Sequence, residues 1–348
     1  MSVSKDQTKK GGKMKLTKKI VGALAAITML FASVSTNSLA GSHKKYPSKP
    51  IEKTITFKAG GAADLAGRLS AKAAEKVLKQ PISVVNRLGA GGSVGFDFVG
   101  KQKNNGYNIG WLSASILTTT ILGKLPYDYK HWDFVCGVTV DATTIAVRAD
   151  SPYKTLPELI AASKKNPGKI KIGHAGVGSF TYTTGAVLMK QQGAKVVFVP
   201  VGKRRTPSLL AGEVDAISVH PPELMANVRA GKIRMLAVST PVKMAAYPKV
   251  PTFKSLGMDL GFYQFRGVFV PKGTPKAVIK KLSNAYKKAA TDKALKAAAL
   301  KKGFGINFIP HNKFPKYVAK QDALLRKAMA SIKSVSYTHL TLPTILLV

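Results

Sequence analysis

Twice along this chain a short apolar strand runs into a glycine turn and out into a helix. Ile55 and Phe57 mark the first strand, Gly60-Gly61 interrupts it, and Ala62-Ala63-Asp64-Leu65-Ala66 opens a helical spacing. The second occurrence is the strand from Ile170 to His174, the loop Ala175-Gly176-Val177-Gly178-Ser179-Phe180, and a helix from Thr181 to Gln192. Glycines let backbone N–H groups approach a ligand without an intervening Cβ, and the unpaired amides of a helix N-terminus carry partial positive charge. Each turn is therefore either a seat for an anion or a purely structural αβ connection. Asp64 falls in the first helical turn, where a carboxylate caps the helix or ties down the loop.

Between and after these units the alternation continues. Ile82 to Arg87 reads as a strand, followed by Leu88-Gly89-Ala90-Gly91-Gly92-Ser93-Val94-Gly95 and a helix; Ile109 to Leu112 is another strand, leading to Ser113, Ser115, Thr118 and Thr119 at a helix start. Thr143 to Arg148 is a strand, and Leu156-Pro157-Glu158 begins a helix to Lys165. Further strands fall at Val196 to Val199, Val214 to Val219 and Arg234 to Val238, with helices near Thr206 to Ala211 and Glu223 to Ala230. Phe262 to Val270 is apolar and carries the chain back to the first unit. Pro271-Lys272-Gly273-Thr274-Pro275 then starts a long helix with Thr274 as N-cap, and a strand near Ile306 to Ile309 precedes a closing helix to Ile332. Strands alternating with helices predict largely parallel sheets that bind ligands at their strands' carboxyl ends. Two such units, each offering a glycine turn to a shared cleft, make an α/β protein with the plan of a hinged binding protein.

The 348 residues suffice for about two domains. At the N-terminus Lys9, Lys10, Lys13, Lys15, Lys18 and Lys19 precede an apolar stretch from Ile20 to Val34, and Ser38-Leu39-Ala40 offers small residues for cleavage. Residues 1–40 are expected to be a signal peptide; an uncleaved anchor is the alternative, but the stretch is short of the roughly 20 residues that span a bilayer. Export, with Cys136 as the single cysteine and hence no disulfide within the chain, suits a soluble protein of the bacterial periplasm. The formal charge of +39 comes mostly from lysines scattered over helix faces such as Lys276, Lys280, Lys281, Lys287 and Lys288. Such a surface attracts anions of any kind, small acids, anionic lipid or nucleic acid, or is simply a solvated basic exterior. No nucleic-acid module accompanies it. The residues 334–348 change character and read as a non-native or disordered tail.

Catalytic and metal patterns are absent from the sequence. The six histidines, at 43, 131, 174, 220, 311 and 339, form no metal-ligating spacing. Gly176-Val177-Gly178-Ser179 is not a hydrolase elbow, and Gly60-Gly61 lacks the Lys-Ser/Thr of a phosphate loop. Ser179 beside His174 is the one pair an enzyme reading could nominate. No catalytic residue, cofactor or metal is expected.

Several motifs occur in a fixed order: Tyr46-Pro47-Ser48-Lys49-Pro50-Ile51, Ala59-Gly60-Gly61-Ala62-Ala63-Asp64, Asn86-Arg87-Leu88-Gly89-Ala90-Gly91-Gly92-Ser93-Val94-Gly95, Gly176-Val177-Gly178-Ser179, Leu210-Ala211-Gly212-Glu213-Val214-Asp215, Gly231-Lys232-Ile233-Arg234 and Pro271-Lys272-Gly273-Thr274-Pro275. Together they resemble the extracytoplasmic solute receptors of tripartite tricarboxylate transporters, the Bug family. The resemblance implies a two-lobed periplasmic binding protein of Venus-flytrap type, each lobe a mixed, mostly parallel sheet flanked by helices. Lobe 1 would comprise 41–145 with 265–333, and lobe 2 146–264. It implies a monomer that binds a small organic acid and delivers it to membrane permease subunits, with no nucleic acid involved. A carboxylate sensor without a transport role is the alternative.

Carried onto this chain, the binding loops are Gly60, Gly61 and Ala62, with Asp64 beside them as the cap, facing Gly178, Ser179, Phe180 and Thr181. The resemblance implies backbone amides rather than fixed lysine or arginine partners. Ser113, Ser115, His174, Tyr182 and Lys203 are further cleft candidates. The chain departs from the family pattern at Tyr182, where histidine is common, and at Val201-Gly202-Lys203. The Lys203-Arg204-Arg205 run either rims the cleft or is a solvated helix start, the second reading being preferred.

Overall fold

The computed structural model describes residues 46–333; the expected signal peptide and the 334–348 tail lie outside the described residues. In chain order the elements are β1 (Ile51–Ile55), α1 (Ala62–Leu78), β2 (Ile82–Asn86), α2 (Ser93–Gly100), β3 (Asn108–Ser113), α3 (Ser115–Ile121), β4 (Trp132–Asp141), β5 (Thr144–Arg148), α4 (Leu156–Lys165), β6 (Lys171–Gly173) and α5 (Phe180–Gln191). There follow β7 (Val197–Val199), α6 (Arg205–Leu210), β8 (Ala216–Val219), α7 (Met225–Arg229), β9 (Ile233–Val238), β10 (Gln264–Pro271), α8 (Lys276–Thr291), α9 (Lys293–Lys302), β11 (Gly305–Ile309) and α10 (Phe314–Lys333).

The strands form two sheets, one ordered β11-β4-β10-β3-β1-β2 and the other β7-β6-β8-β5-β9. In the first, β1, β2, β3 and β4 share one direction while β10 and β11 oppose it. In the second only β5 opposes the rest. Both sheets are thus mixed, as anticipated; most strands of each share one direction, but of the pairings between neighbours five are antiparallel and four parallel. Two of the three opposing strands are the first after a crossing between the sheets, β5 after one and β10 after the other; β11 opposes as an edge strand beside β4.

β10 is buried along its whole length and β4 nearly so, which is the pattern of central strands covered on both faces. β4 has no counterpart in the sequence reading, nor has α9, whose Lys-Ala composition favours helix but marks out no apolar stripe. α8 fits its pattern: Val278, Leu282, Ala285, Tyr286 and Ala289 face inward while Lys276, Lys280, Lys281, Lys287 and Lys288 are exposed. Its start differs by one residue from expectation. Pro275 occupies the N-cap position, and Thr274 donates its hydroxyl back to the Pro271 carbonyl at 2.7 Å rather than capping.

The chain crosses between sheets after β4 and again after β9. The two crossings are tied together, Thr143 N–H donating to Ser239 Oγ at 2.9 Å and Ser239 N–H to the Thr143 carbonyl at 2.8 Å. One apolar core reaches both sheets, running from Phe96, Leu112 and Trp132 to Ile145, Ile172 and Leu236. A second cluster around Leu209, Val219 and Met235 covers the other face of the second sheet.

Candidate functional site

A cavity of about 280 Å³ opens where loops from the two sheets converge. It is lined by residues following β1 (Thr56 to Lys58 and Gly61 to Ala63), β2 (Leu88 to Gly92), β3 (Ser113, Ser115), β6 (Ala175, Ser179 to Thr181), β7 (Gly202, Lys203, Arg205) and β8 (His220, Glu223). Gln264 and Arg266 complete it. All but the last two lie beyond the carboxyl ends of strands that share a direction, where open α/β sheets place their ligands. Because β10 runs against its neighbours, its first residues come to the same end.

The two helix N-termini at the cavity are not equivalent. At α1, Ala62 and Ala63 line the cavity; lying in the first turn, their amides have no backbone partner, and Gly61 in the N-cap position offers no side chain to cap them. At α5 the amides are mostly committed: Ser179 N–H goes to the Gly176 carbonyl, Phe180 N–H to Ser115 Oγ at 3.1 Å and Tyr182 N–H to Ser179 Oγ at 3.2 Å. Positive charge from side chains stands beside the amides, contrary to the expectation of amides without fixed cations. Lys58, Lys203, Arg205 and Arg266 line the cavity against a single carboxylate, Glu223.

These charges are organised. Arg205, buried, pairs with Glu223, while Lys58 Nζ lies 3.9 Å from Glu223 and donates to the Lys203 carbonyl at 2.9 Å. Burial holds the Lys58 ammonium below its usual range, Glu223 opposing and Arg205 and Lys203 reinforcing that shift. The solvated reading therefore suits only Arg204; Lys203, exposed, rims the cavity, and Arg205 is buried in its wall. Arg266 is 1% exposed and pairs with the fully buried Asp141. Burial, the largest influence, pushes the Asp141 carboxyl upward against the pull of Arg266. His220 places Nδ1 2.8 Å from the Ala142 carbonyl, and burial first, then the Arg266 and Arg205 charges, push its pKa down to about 3.

Of the residues expected from sequence, Gly61, Ala62, Ser113, Ser115, Ser179, Phe180, Thr181 and Lys203 line this cavity. Gly60, Asp64, Gly178, His174 and Tyr182 do not, each for a visible reason. Asp64 accepts from Gly60 N–H at 3.0 Å, from Asn86 Nδ2 at 2.8 Å and from Arg68 Nε, so it fixes the first loop from behind. Burial alone would raise its pKa, but those hydrogen bonds prevail and hold it below the usual carboxylate range. Gly178 gives its carbonyl to Thr118 Oγ1 at 2.6 Å. His174 is fully buried against Tyr182 and Phe198, with Nδ1 accepting Gly176 N–H at 3.1 Å, and burial pushes its pKa down to about 4. Ser179 Oγ donates to the Gly176 carbonyl at 2.7 Å, so it is not paired with His174 as a nucleophile with its base. Among the described residues no group of His, Cys, Asp and Glu could hold a metal ion.

The sequence reading missed Arg266, Gln264, His220 and Glu223 as lining residues, weighed Arg205 as a rim cation but preferred it solvated, and left the Gly89 to Gly92 loop unassigned. Arg266 did carry a signal. A guanidinium inside the apolar run from Phe262 to Val270 needs a buried partner or a ligand.

Gly91 is where the loop after β2 meets the loop after β6. Its φ is +73°, and a Cβ there would stand 3.0 Å from the Gly178 carbonyl carbon and 3.1 Å from the Val177 oxygen. Both are main-chain atoms and cannot swing aside. Gly91→Ala should cost about 1–3 kcal/mol in urea unfolding, through left-handed strain and this contact; a cost below 0.5 kcal/mol, roughly the scatter of neutral surface changes, would show that the loops yield freely.

Two mixed α/β sheets flanked by helices, with a cavity at the strands' carboxyl ends, define the architecture of a periplasmic solute-binding protein. The description "Tripartite tricarboxylate transporter family receptor" matches residues 66–334, and the chain belongs to that family. A curated relative, "UPF0065 protein in gbd 5'region" of Cupriavidus necator, is 32% identical over 248 residues, covering 70% of this chain and 76% of the relative. A TctC solute binding protein from Polaromonas is 31% identical with a TM-score of 0.66, covering 82% of this chain and 99% of that one. The periplasmic binding protein BugD is 25% identical with a TM-score of 0.76, covering 83% and 99%. The family is one of solute receptors rather than enzymes. Among the described residues no helix is long and apolar enough to cross a membrane.

Proposed function

We propose that this chain is an extracytoplasmic receptor that binds a small organic acid anion in the cavity between its two sheets and delivers it to the membrane permease subunits of a tripartite transporter. The observation that carries this reading is the lining itself: four cationic side chains border the cavity, two of them, Arg205 and Arg266, held by the carboxylates Glu223 and Asp141, beside the open N-terminus of α1. Lobe 1 corresponds to the first sheet and lobe 2 to the second, with the crossings at Asp141 to Thr144 and beyond Ser239 as the connection. In this reading Gly61, Ala62, Ser179 and Thr181 touch the acid, whereas Gly60, Asp64, Gly178, His174 and Tyr182 hold the loops. The protein works in the periplasm after removal of residues 1–40.

A thermal-shift screen over mono-, di- and tricarboxylates tests the reading. An acid present at 100 times its dissociation constant should add about 2.7 kcal/mol to stability, about 5–10 °C in midpoint for a protein of this size. No shift with any acid, set against one with an oligonucleotide, would replace the receptor by a binder of anionic surfaces.

A further inference from the structure

The cavity contains two neutral acceptors among its donors. Gln264 is 1% exposed, and its Nε2 donates to Ser113 Oγ at 2.9 Å. A hydroxyl relay fixes that amide's orientation: Ser113 Oγ accepts Ser115 N–H and gives its own proton to Ser115 Oγ, both at 3.3 Å, while Ser115 Oγ also accepts Phe180 N–H. With its single proton spent, Ser113 can only receive from Gln264. Gln264 therefore presents Oε1, a buried acceptor with no partner among the described residues. His220 is alike. A carbonyl only accepts, so the proton lies on Nδ1 facing Ala142, and Nε2 is left as a bare acceptor with no hydrogen bond among the described residues.

A carboxylate brings acceptors only. It can satisfy Lys58, Lys203, Arg205, Arg266 and the amides of α1, but it leaves Gln264 Oε1 buried and unmatched, which is costly. We propose that the ligand is a hydroxylated carboxylic acid whose hydroxyl donates to Gln264 Oε1. This rests on the carboxylate reading above and narrows it. An ammonium group would donate equally well, but it would add a charge beside Lys58 and Lys203, since Glu223 and Asp141 are already engaged by Arg205 and Arg266, whereas a hydroxyl supplies the proton without the charge.

Calorimetry on matched pairs decides the matter: malate against succinate, and lactate against propionate, with aspartate as the ammonium arm. The hydroxy acid of a pair should bind about tenfold tighter or better, and aspartate more weakly than malate. Gln264→Met, similar in length but without the acceptor, should bring the malate-to-succinate ratio to about one while succinate still binds. Equal affinity within the pairs in the unaltered protein overturns the proposal even if the variant fails to fold. Aspartate binding tighter than malate overturns it in favour of an amino acid. If every acid binds and none is distinguished, the receptor reading stands and this inference falls; if none binds, both fall.

Discussion

Arg266→Met should lower the unfolding free energy at neutral pH by about 3–5 kcal/mol, because it leaves the Asp141 carboxylate buried without its counter-charge. Asp141 is fully buried, its Oδ1 already lacks a hydrogen bond, and Arg266 is its one salt-bridge partner among the described residues. The sign of the pH dependence follows. In the variant, burial raises the folded-state pKa of Asp141 above its unfolded value of about 3.9. The penalty is therefore absent below the unfolded pKa and grows as pH rises through the folded one. Urea unfolding at acidic and neutral pH would register this as a loss that shrinks with acid. The double variant Asp141→Leu with Arg266→Met should regain most of the stability, since removing both partners leaves no orphaned charge. A pH-independent loss of under about 1 kcal/mol, the size of an exposed ion pair, would mean that water reaches Asp141.

Lys53→Met should work in the opposite direction, stabilising the protein by about 1–3 kcal/mol at neutral pH. Lys53 on β1 is fully buried; its Nζ donates to the Gly67 carbonyl at 3.0 Å and to Ser70 Oγ at 3.1 Å, and it lies 3.9 Å from the centre of the Trp111 ring. No carboxylate pairs with it among the salt bridges of the described residues. Removing the ammonium creates no new orphan, because Ser70 Oγ still donates to the Gly67 carbonyl at 2.9 Å. Burial holds the Lys53 pKa well below its usual value, with only the neighbouring Cys136 thiol acting against it. A base whose pKa is depressed on folding is penalised below that pKa, and the penalty fades as pH climbs towards the unfolded value of about 10.4. The advantage of methionine should accordingly be largest near neutrality and shrink in alkali. Denaturation showing the variant less stable at pH 7 would mean that the ammonium's contacts with Trp111 and the α1 carbonyl outweigh its desolvation.

The parts of the fold legible in the sequence are those where local pattern and tertiary role agree. β1 with α1, and β6 with α5, could be read because glycine turns punctuate them, and α8 because its apolar stripe meets a lysine-covered face. β4 could not: covered on both sides, Trp132 to Asp141 has no alternation, and Gly137 interrupts it where a Cβ would crowd the Phe314 ring. The site divides in the same way. Loop residues such as Gly61 and Ser179 were visible because glycine and capping hydroxyls are local signals. Arg266, Gln264 and His220 reach the cavity only through the pairing of β10 with β3 and β4, and through the end of β8. No spacing along the chain brings Gln264 beside Ser113, 151 residues away. Arg205 was misjudged because a run of three cations looks alike whether or not a partner such as Glu223 waits in the core.

The reciprocal hydrogen bonds between Thr143 and Ser239 make one ribbon of the two crossings. Were one sheet to swing against the other, both strands would have to bend together, and the pivot would pass through this clasp. Asp141 and Ala142, the partners of Arg266 and His220, are its immediate neighbours. A ligand pressing on those two side chains would push close to the axis, with little leverage. One drawn to the rim, where Lys58 reaches the Lys203 carbonyl, would pull on the long arm.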